Sequence, residues 1–228
     1  MQEQWQRQLP SWEVKVALRG SALSRKQLEE VFGEMRFFWP RICFFPLFVT
    51  TKGDRDQTTP LSLMEKTDFF TAEVDEKVLE GSADVAVHSA KDLPEKLPQG
   101  LCIAALTKGR NPSDSLVFRK GLSLATFPKG GKVGISSDRR EENVRAFLQE
   151  KRPSCLHIRG AIDKRLAYLT QEGFSAVVVA KAALERLGYT LPSILLPGPV
   201  PPLQGRLAIV VKQDDLFLRR LFEKIDAR

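Results

Sequence analysis

Histidine and cysteine are scarce in this chain. Of 228 residues, two are histidine and three cysteine. His88 and His157 are too few to suggest a metal site, so no metal is expected. Cys43, Cys102 and Cys155 lie far apart inside apolar runs, with no CxxC spacing. The odd number argues against a disulfide framework, and each reads as a small buried hydrophobe. Long apolar runs are also missing: no stretch reaches the roughly 18 residues a transmembrane helix needs, and none is expected. Met1 to Pro10 is polar and Gln-rich and lacks the apolar core of a signal peptide. The expected location is the cytoplasm.

The composition is 43% hydrophobic and 28% charged, that of an ordinary globular protein with room for one large domain or two small ones. The net charge of +7 has a bland reading, a solvated surface, and a sharper one, an anionic ligand or nucleic acid. No helix-turn-helix, zinc or aromatic RNA-binding pattern accompanies it, so nucleic acid is not the expected partner.

The central stretch is His88-Ser89-Ala90-Lys91-Asp92. The apolar run Ala83 to Val87 reads as a buried strand leading into it, and Leu93-Pro94 closes it. In open α/β sheets the carboxyl end of such a strand is where ligands bind. The competing reading is a polar turn with Lys91 and Asp92 merely solvated.

Three other strand ends carry matching features. Val14 to Leu18 reads as a strand ending at Arg19-Gly20-Ser21, and the helix after it has Leu23, Leu28, Val31 and Phe32 on one face. Gly20 suits a tight turn and Ser21 an N-cap, and such a turn offers free N–H groups to an anion. Lys132 to Ser136 reads as a strand, and Asp138 and Glu141 have capping-box spacing at the helix that follows Ser137. That puts Arg139 and Arg140 in a first helical turn, where cations oppose the helix dipole. Either an anion visits them, or they pair on the surface with Glu141 and Glu142. Cys155 to Ile158 reads as a strand ending at Arg159-Gly160. Its helix has Ile162, Leu166 and Leu169 on one face, Arg165 in the second turn, and a stop near Gly173.

The rest alternates in the same way. Ile42 to Thr50, Leu101 to Leu106, Leu116 to Phe118, Phe174 to Ala180 and Leu207 to Val211 read as strands. Residues 61–80, Ala182 to Leu187 and the segment from Asp214 read as helices, the first with a break near Lys66. Residues 94–113 hold a crossing, and residues 190–205, with five prolines, read as an extended crossing. The pattern predicts two α/β lobes with largely parallel strands. If the lobes face each other, the four turns converge on one cleft, and its guanidinium forks suit a ligand with several carboxylates.

Taken in order, Ala17 to Ser21 with Leu23 and Gln27, Ala83 to Pro94, Gly134 to Arg140, Ile158 to Gly160 with Arg165, and Gln204-Gly205 resemble porphobilinogen deaminase, also called hydroxymethylbilane synthase. The resemblance runs from about residue 14 to 225. It implies two lobes like those of type II periplasmic binding proteins, joined by two crossovers. Lobe 1 takes residues 1–108 and 199–228, and lobe 2 takes 109–198. The implied reaction joins four porphobilinogen units with loss of ammonia to give hydroxymethylbilane, on the path to haem. Asp92 matches the catalytic aspartate. Arg19, Ser21, Lys91, Ser137, Arg139, Arg140, Arg159 and Arg165 match positions that hold acetate and propionate groups. Gln27, Ser89, Ser136 and Gly160 join that binding set, and Phe70 matches an aromatic that lies over the cleft. The implied partners are porphobilinogen and oligopyrrole intermediates, with no nucleic acid or membrane, and the expected state is a monomer.

The family implies a dipyrromethane cofactor carried on a cysteine of a third domain. That domain is expected to be absent here, and no cysteine of this chain matches the attachment motif, so covalent attachment is not expected. The pattern also departs at Lys66-Thr67-Asp68-Phe69-Phe70, at Ala161 in place of Asn, and at Leu203 in place of Gly. An untethered primer, a different cysteine, or pyrrole binding without turnover all stay open.

Overall fold

A computed structural model describes residues 12–56, 67–171 and 173–228. The first sheet is built from β1 (Trp12–Arg19), β2 (Ile42–Val49), β3 (Val85–Ser89), β4 (Leu101–Leu106) and β10 (Leu207–Lys212). The second is built from β5 (Asp114–Phe118), β6 (Lys132–Ile135), β7 (Ser154–His157), β8 (Phe174–Ala180) and β9 (Ser193–Leu196). Their orders are β2-β1-β3-β10-β4 and β7-β6-β8-β5-β9, so the two lobes repeat one topology. The described helices are α1 (Ala22–Phe38), α2 (Lys52–Arg55), α3 (Ala72–Leu79), α4 (Asp138–Phe147), α5 (Ile162–Ala167), α6 (Lys181–Leu187) and α7 (Leu216–Phe222).

The central strands are covered on both faces, which is why β3, β8 and β10 are largely apolar. Val85 and Val87 of β3 join the cluster formed with Val31 and Met35 of α1 and Leu218, Leu221 and Phe222 of α7. Ala86, between them, faces Val74 and Val78 of α3. In the second lobe Leu116 and Phe118 pack with Val144 of α4, while Val117 packs with Leu166 of α5 and Leu184 of α6.

The expectation of largely parallel strands needs correction. β1 is parallel to β2 and β3, and β6 to β7 and β8. β10 is antiparallel to both its neighbours, and so is β5. These are the two strands that arrive from the other lobe. β10 starts at Leu207 opposite Ser89, the end of β3, and β5 starts at Asp114 opposite Ala180, the end of β8. Each enters its sheet from the carboxyl ends of the parallel strands, so it must run the other way.

The two crossings are tied to each other. Thr107 N donates to Leu207 O at 3.0 Å and Arg110 N to Gly205 O at 3.1 Å. Gly205 has φ +91°, and a Cβ there would lie 2.4 Å from Arg110 O, so only glycine fits. Buried Arg186 of α6 donates to Glu30 of α1 at 2.7 Å and to Gly205 O at 2.7 Å, which fastens the lobes together behind the crossings.

Other readings also change. Cys43 is exposed and Cys102 and Cys155 are half-buried, because Cys43 lies on edge strand β2 and the apolar run around it is covered less than a central strand. The N-cap of α4 is Ser137, so the Asp138–Glu141 capping box does not form. The proline-rich crossing contains strand β9, paired to β5. Of the helix expected over 61–80, residues 61–66 lie outside the described residues, and α3 begins only at Ala72. The polar N-terminal decapeptide also lies outside them.

Candidate active site

The lobes meet at the carboxyl ends of β1, β3, β6 and β7, and the site is built there around Asp114. This carboxylate opens β5 and is wholly buried. It accepts from Arg140 Nη2 at 2.6 Å, Arg139 Nη2 at 2.9 Å and Gln204 Nε2 at 3.2 Å. Burial alone would raise its pKa; the Arg140 and Arg139 guanidiniums override that and hold it well below the usual carboxylate range. The surface pairing with Glu141 and Glu142 does not form, since both arginines turn inward to Asp114. Arg139 also donates to Pro199 O at 2.7 Å. Arg140 Nε is buried with no partner among the described residues.

Gln204 carries this network into the first lobe. Its Oε1 accepts from Lys91 Nζ at 3.0 Å, while its Nε2 donates to Pro112 O. Burial and the cations Arg140 and Arg165 push the Lys91 pKa down to about 8, against the pull of Asp92 and Asp114. Lys91 and Asp92 lie on a single turn of 3₁₀ helix, Ala90–Asp92, at the end of β3. Asp92 is half-buried, and among the described residues no group donates to its carboxylate.

Arg165 reaches back from α5 to the same place. It donates to Gly160 O at 2.7 Å and to Ser136 Oγ at 3.1 Å, and that hydroxyl also accepts from Arg140 Nη1 at 2.6 Å. Burial, then the neighbouring charges of Arg140, Arg159 and Arg19, bring the Arg165 pKa down to about 10, with Asp92 opposing. Those mutual influences mark one shared cleft with contributions from both lobes.

At its other wall, Arg19 pairs with Asp54 of α2, and its guanidinium lies 4.6 Å from the centre of the Phe70 ring. Asp54 Oδ2 also accepts from Thr51 N at 3.0 Å and Thr51 Oγ1 at 2.9 Å. Arg159 Nη2 donates across the cleft to Asp56 O at 2.9 Å. Gln27 Nε2 donates to Ser89 Oγ at 2.7 Å, which ties α1 to β3. Ser21 caps α1 by accepting from Ser24 N at 3.1 Å, and Ser137 caps α4 without a side-chain bond. The structure thus links Lys91, Asp92, Ser136, Arg140, Gly160 and Arg165, with Arg19 and Arg159 beside them, while Ser21, Gln27 and Ser89 are engaged in holding elements.

Asp114 and Asp54 were not anticipated. Asp114 had a faint signal, a single acid opening the otherwise uncharged, wholly buried strand DSLVF. Asp54 sits in a polar loop that reads as any surface turn.

Residues 14–220 match the sequence profile described as porphobilinogen deaminase, dipyromethane cofactor binding domain. The chain belongs to the porphobilinogen deaminase family. A probable porphobilinogen deaminase of Chlamydia muridarum is 45% identical over 213 residues, 90% of this chain and 86% of that protein. One from Pyrobaculum islandicum is 40% identical, over 92% of this chain and 71% of that protein. The porphobilinogen deaminase of Syntrophobacter fumaroxidans is 36% identical over 91% and 68%. Among solved structures, the methionine-binding protein MetQ aligns with TM-score 0.56 at 11% identity, over 93% of this chain and 89% of that one. The probable amino-acid extracellular-binding protein ytmK of Bacillus subtilis aligns with TM-score 0.51 at 10% identity, over 96% and 90%. These two speak for the fold alone, the two-lobed architecture of type II periplasmic binding proteins. Among the described residues no helix is long and apolar enough to cross a membrane.

Proposed function

We propose that this chain is a transferase that joins porphobilinogen units into hydroxymethylbilane, releasing ammonia, in tetrapyrrole biosynthesis. The observation that carries the reading is Asp92, an acid without a described donor, set among cations from both lobes. A protein that only held polyacids would gain nothing from that carboxylate. In the reaction the aminomethyl C–N bond of porphobilinogen breaks and ammonia leaves, giving an electrophilic azafulvene. The free α-carbon of the growing chain forms the new C–C bond, and its proton is then lost; after four rounds, hydrolysis of the bond to the primer adds water and releases hydroxymethylbilane. Asp92 accepts the pyrrole N–H, stabilises the positive charge that develops on the ring, and takes part in the proton transfers.

The acetate and propionate groups are assigned to Lys91, Arg159 and Arg165, to the remaining N–H groups of Arg139 and Arg140, and to Arg19, with Ser21 and Ser137 at the helix ends. Ser136, Gly160, Gln27 and Ser89 hold these groups in place, and Phe70 covers Arg19. A dipyrromethane, when bound, supplies the first α-carbon nucleophile. Its carboxylates suit this donor set, and the buried, unpartnered Nε of Arg140 is a donor of the right kind for one of them. Its thioether has no evident anchor here. Cys43 lies opposite Glu13 and Cys155 opposite Val133, and Cys102 is the second residue of β4, so none sits at the cleft end of its strand.

The lobes are assigned as residues 1–108 with 199–228, and 109–198, in keeping with which strands share a sheet. The working form is assigned as a cytoplasmic monomer acting on small molecules rather than on nucleic acid. Replacing Asp92 by Ala tests the reading. Turnover, followed by ammonia release, should fall about 10³-fold while equilibrium binding of porphobilinogen persists. Wild-type protein that binds porphobilinogen and never consumes it would instead mark a binding protein.

A further inference from the structure

Two of the cleft's arginines, one from each lobe, are held by a single short segment of the first lobe. Arg19 is forked onto the Asp54 carboxylate, with Nε 3.2 Å from Oδ1 and 3.3 Å from Oδ2. Arg159 donates to the carbonyl oxygen of Asp56, two residues on. The segment Thr51–Asp56 therefore offers Arg19 and Arg159 the same chemistry as a ligand acid, anionic or carbonyl oxygen in the plane of a guanidinium.

α2 is one turn long. Gly53 N donates to Phe69 O at 3.1 Å, and Lys52 N to Glu73 Oε1 at 2.8 Å. Phe70 closes over the far side of Arg19 and presses on Gly53 so tightly that a Cβ there would lie 2.1 Å from the ring. Asp54 keeps its two contacts to Thr51 whether or not Arg19 is present, so releasing Arg19 does not by itself orphan the carboxylate.

We propose that Thr51–Asp56 is a resident stand-in for the ligand, with Asp54 as its carboxylate, so that binding is an exchange of one acid for another at Arg19. The inference rests on the reading of the cleft as a pyrrole-carboxylate site and adds a specificity device to it. A guest with a single weak carboxylate does not displace Asp54, whereas a polyacid that also takes Lys91, Arg165 and Arg159 does. Asp54 is a positioning residue in this scheme. It acts on the ligand only through Arg19.

The test is the affinity of Asp54→Asn for porphobilinogen and, separately, for citrate, by calorimetry. Removing a competitor that pairs at a partly exposed site should tighten both by about threefold to tenfold. Loss of a merely structural contact does not raise affinity, so equal, weaker or absent binding of citrate by the variant overturns the proposal. Gly53→Ala, which keeps the Asp54 charge but forces α2 and Phe70 apart, should shift affinity in the same direction. Hydrogen exchange of the wild-type chain supplies a check without any variant. The amides of residues 53–56, all hydrogen-bonded in the free protein, should exchange faster with citrate bound, and unchanged or slower exchange overturns the proposal. Tighter citrate binding by Asp54→Asn, with porphobilinogen neither bound nor consumed by any form, upholds the exchange and sinks the enzymatic reading. Turnover by the wild type with no gain in Asp54→Asn does the reverse.

Discussion

Replacing Asp114 by Asn keeps the side chain's shape and one acceptor oxygen but removes its charge. The consequence falls on Arg140, which is 5% exposed and has Asp114 as its anionic partner. Arginine does not shed its proton to escape burial. Leaving such a cation unpaired in the interior costs about 3–5 kcal/mol. The Asn oxygen still accepts one bond, and Arg139 is 22% exposed and can turn partly to water. The expected loss is therefore about 2–4 kcal/mol, a large share of a typical stability of about 5–15 kcal/mol. Urea unfolding followed by circular dichroism reads this as a lower midpoint at unchanged slope. A loss under about 1 kcal/mol would refute the claim that Asp114 compensates the buried Arg140 charge.

The pH dependence gives that same substitution a second signature. The folded-state pKa of Asp114 is depressed, so the folded chain keeps the ion at pH values where the unfolded chain takes up a proton. Its contribution is complete above the unfolded value of about 3.9 and is lost as pH falls from there toward the lower folded value. The stability gap between wild type and Asp114→Asn should accordingly be widest near neutrality and narrow as pH falls below about 4. A gap that stays constant down to acid pH would place the effect in packing rather than in charge.

Lys91 predicts a pH effect at the alkaline end: citrate affinity of the wild type should fall as pH rises through about 8, and Lys91→Met should be flat there. Its stability term has the opposite sign, because the folded chain releases this proton at about 8 and the unfolded chain only near 10.5, so the group's contribution rises with pH across that window. The cysteines predict a mass: protein purified from a host that makes porphobilinogen should carry no stable adduct on Cys43, Cys102 or Cys155. A dipyrrole-sized excess mapped to any of them by peptide analysis contradicts the placement of the three away from the strands' cleft ends.

Much of the architecture is legible locally because strand and helix periods are local. Val85, Ala86 and Val87 announce a two-sided buried strand, and Ser21 and Gly188 mark the ends of their helices, with Gly188 at φ +70°. The arginine-bearing turns could be placed at strand ends for the same reason. The directions of β5 and β10 could not, since a strand's direction follows from where its chain arrives and leaves no mark in its own residues. β9 was masked by prolines on either side, which are tolerated because β9 is an edge strand. The exposure of Cys43 was missed because an apolar run does not reveal that its strand lies at an edge. Asp114 and Asp54 were missed for a deeper reason. Their importance lies in partners 25 and 35 residues away, and nothing in the spacing of acids relative to arginines encodes such a contact.

That failure bears on how the cleft works. Arg19, Lys91, Arg139, Arg140, Arg159 and Arg165 would repel one another in an empty site, and that repulsion adds to burial, the larger cause, in lowering the Arg165 pKa. A cleft made only of cations would resist closing until its ligand arrived. Three acids resolve the conflict in three ways, each set by surroundings rather than by residue type. Asp114 is sealed in with Arg139 and Arg140 and cancels one of their two charges, so that the buried cluster keeps a net charge of one. Asp54 holds Arg19 at a half-open edge, where a stronger polyacid can replace it. Asp92 lies beside Lys91 with no described donor, and the proposed reaction uses its free lone pairs at a ring nitrogen. All three are aspartates, so only burial and partnership distinguish their roles.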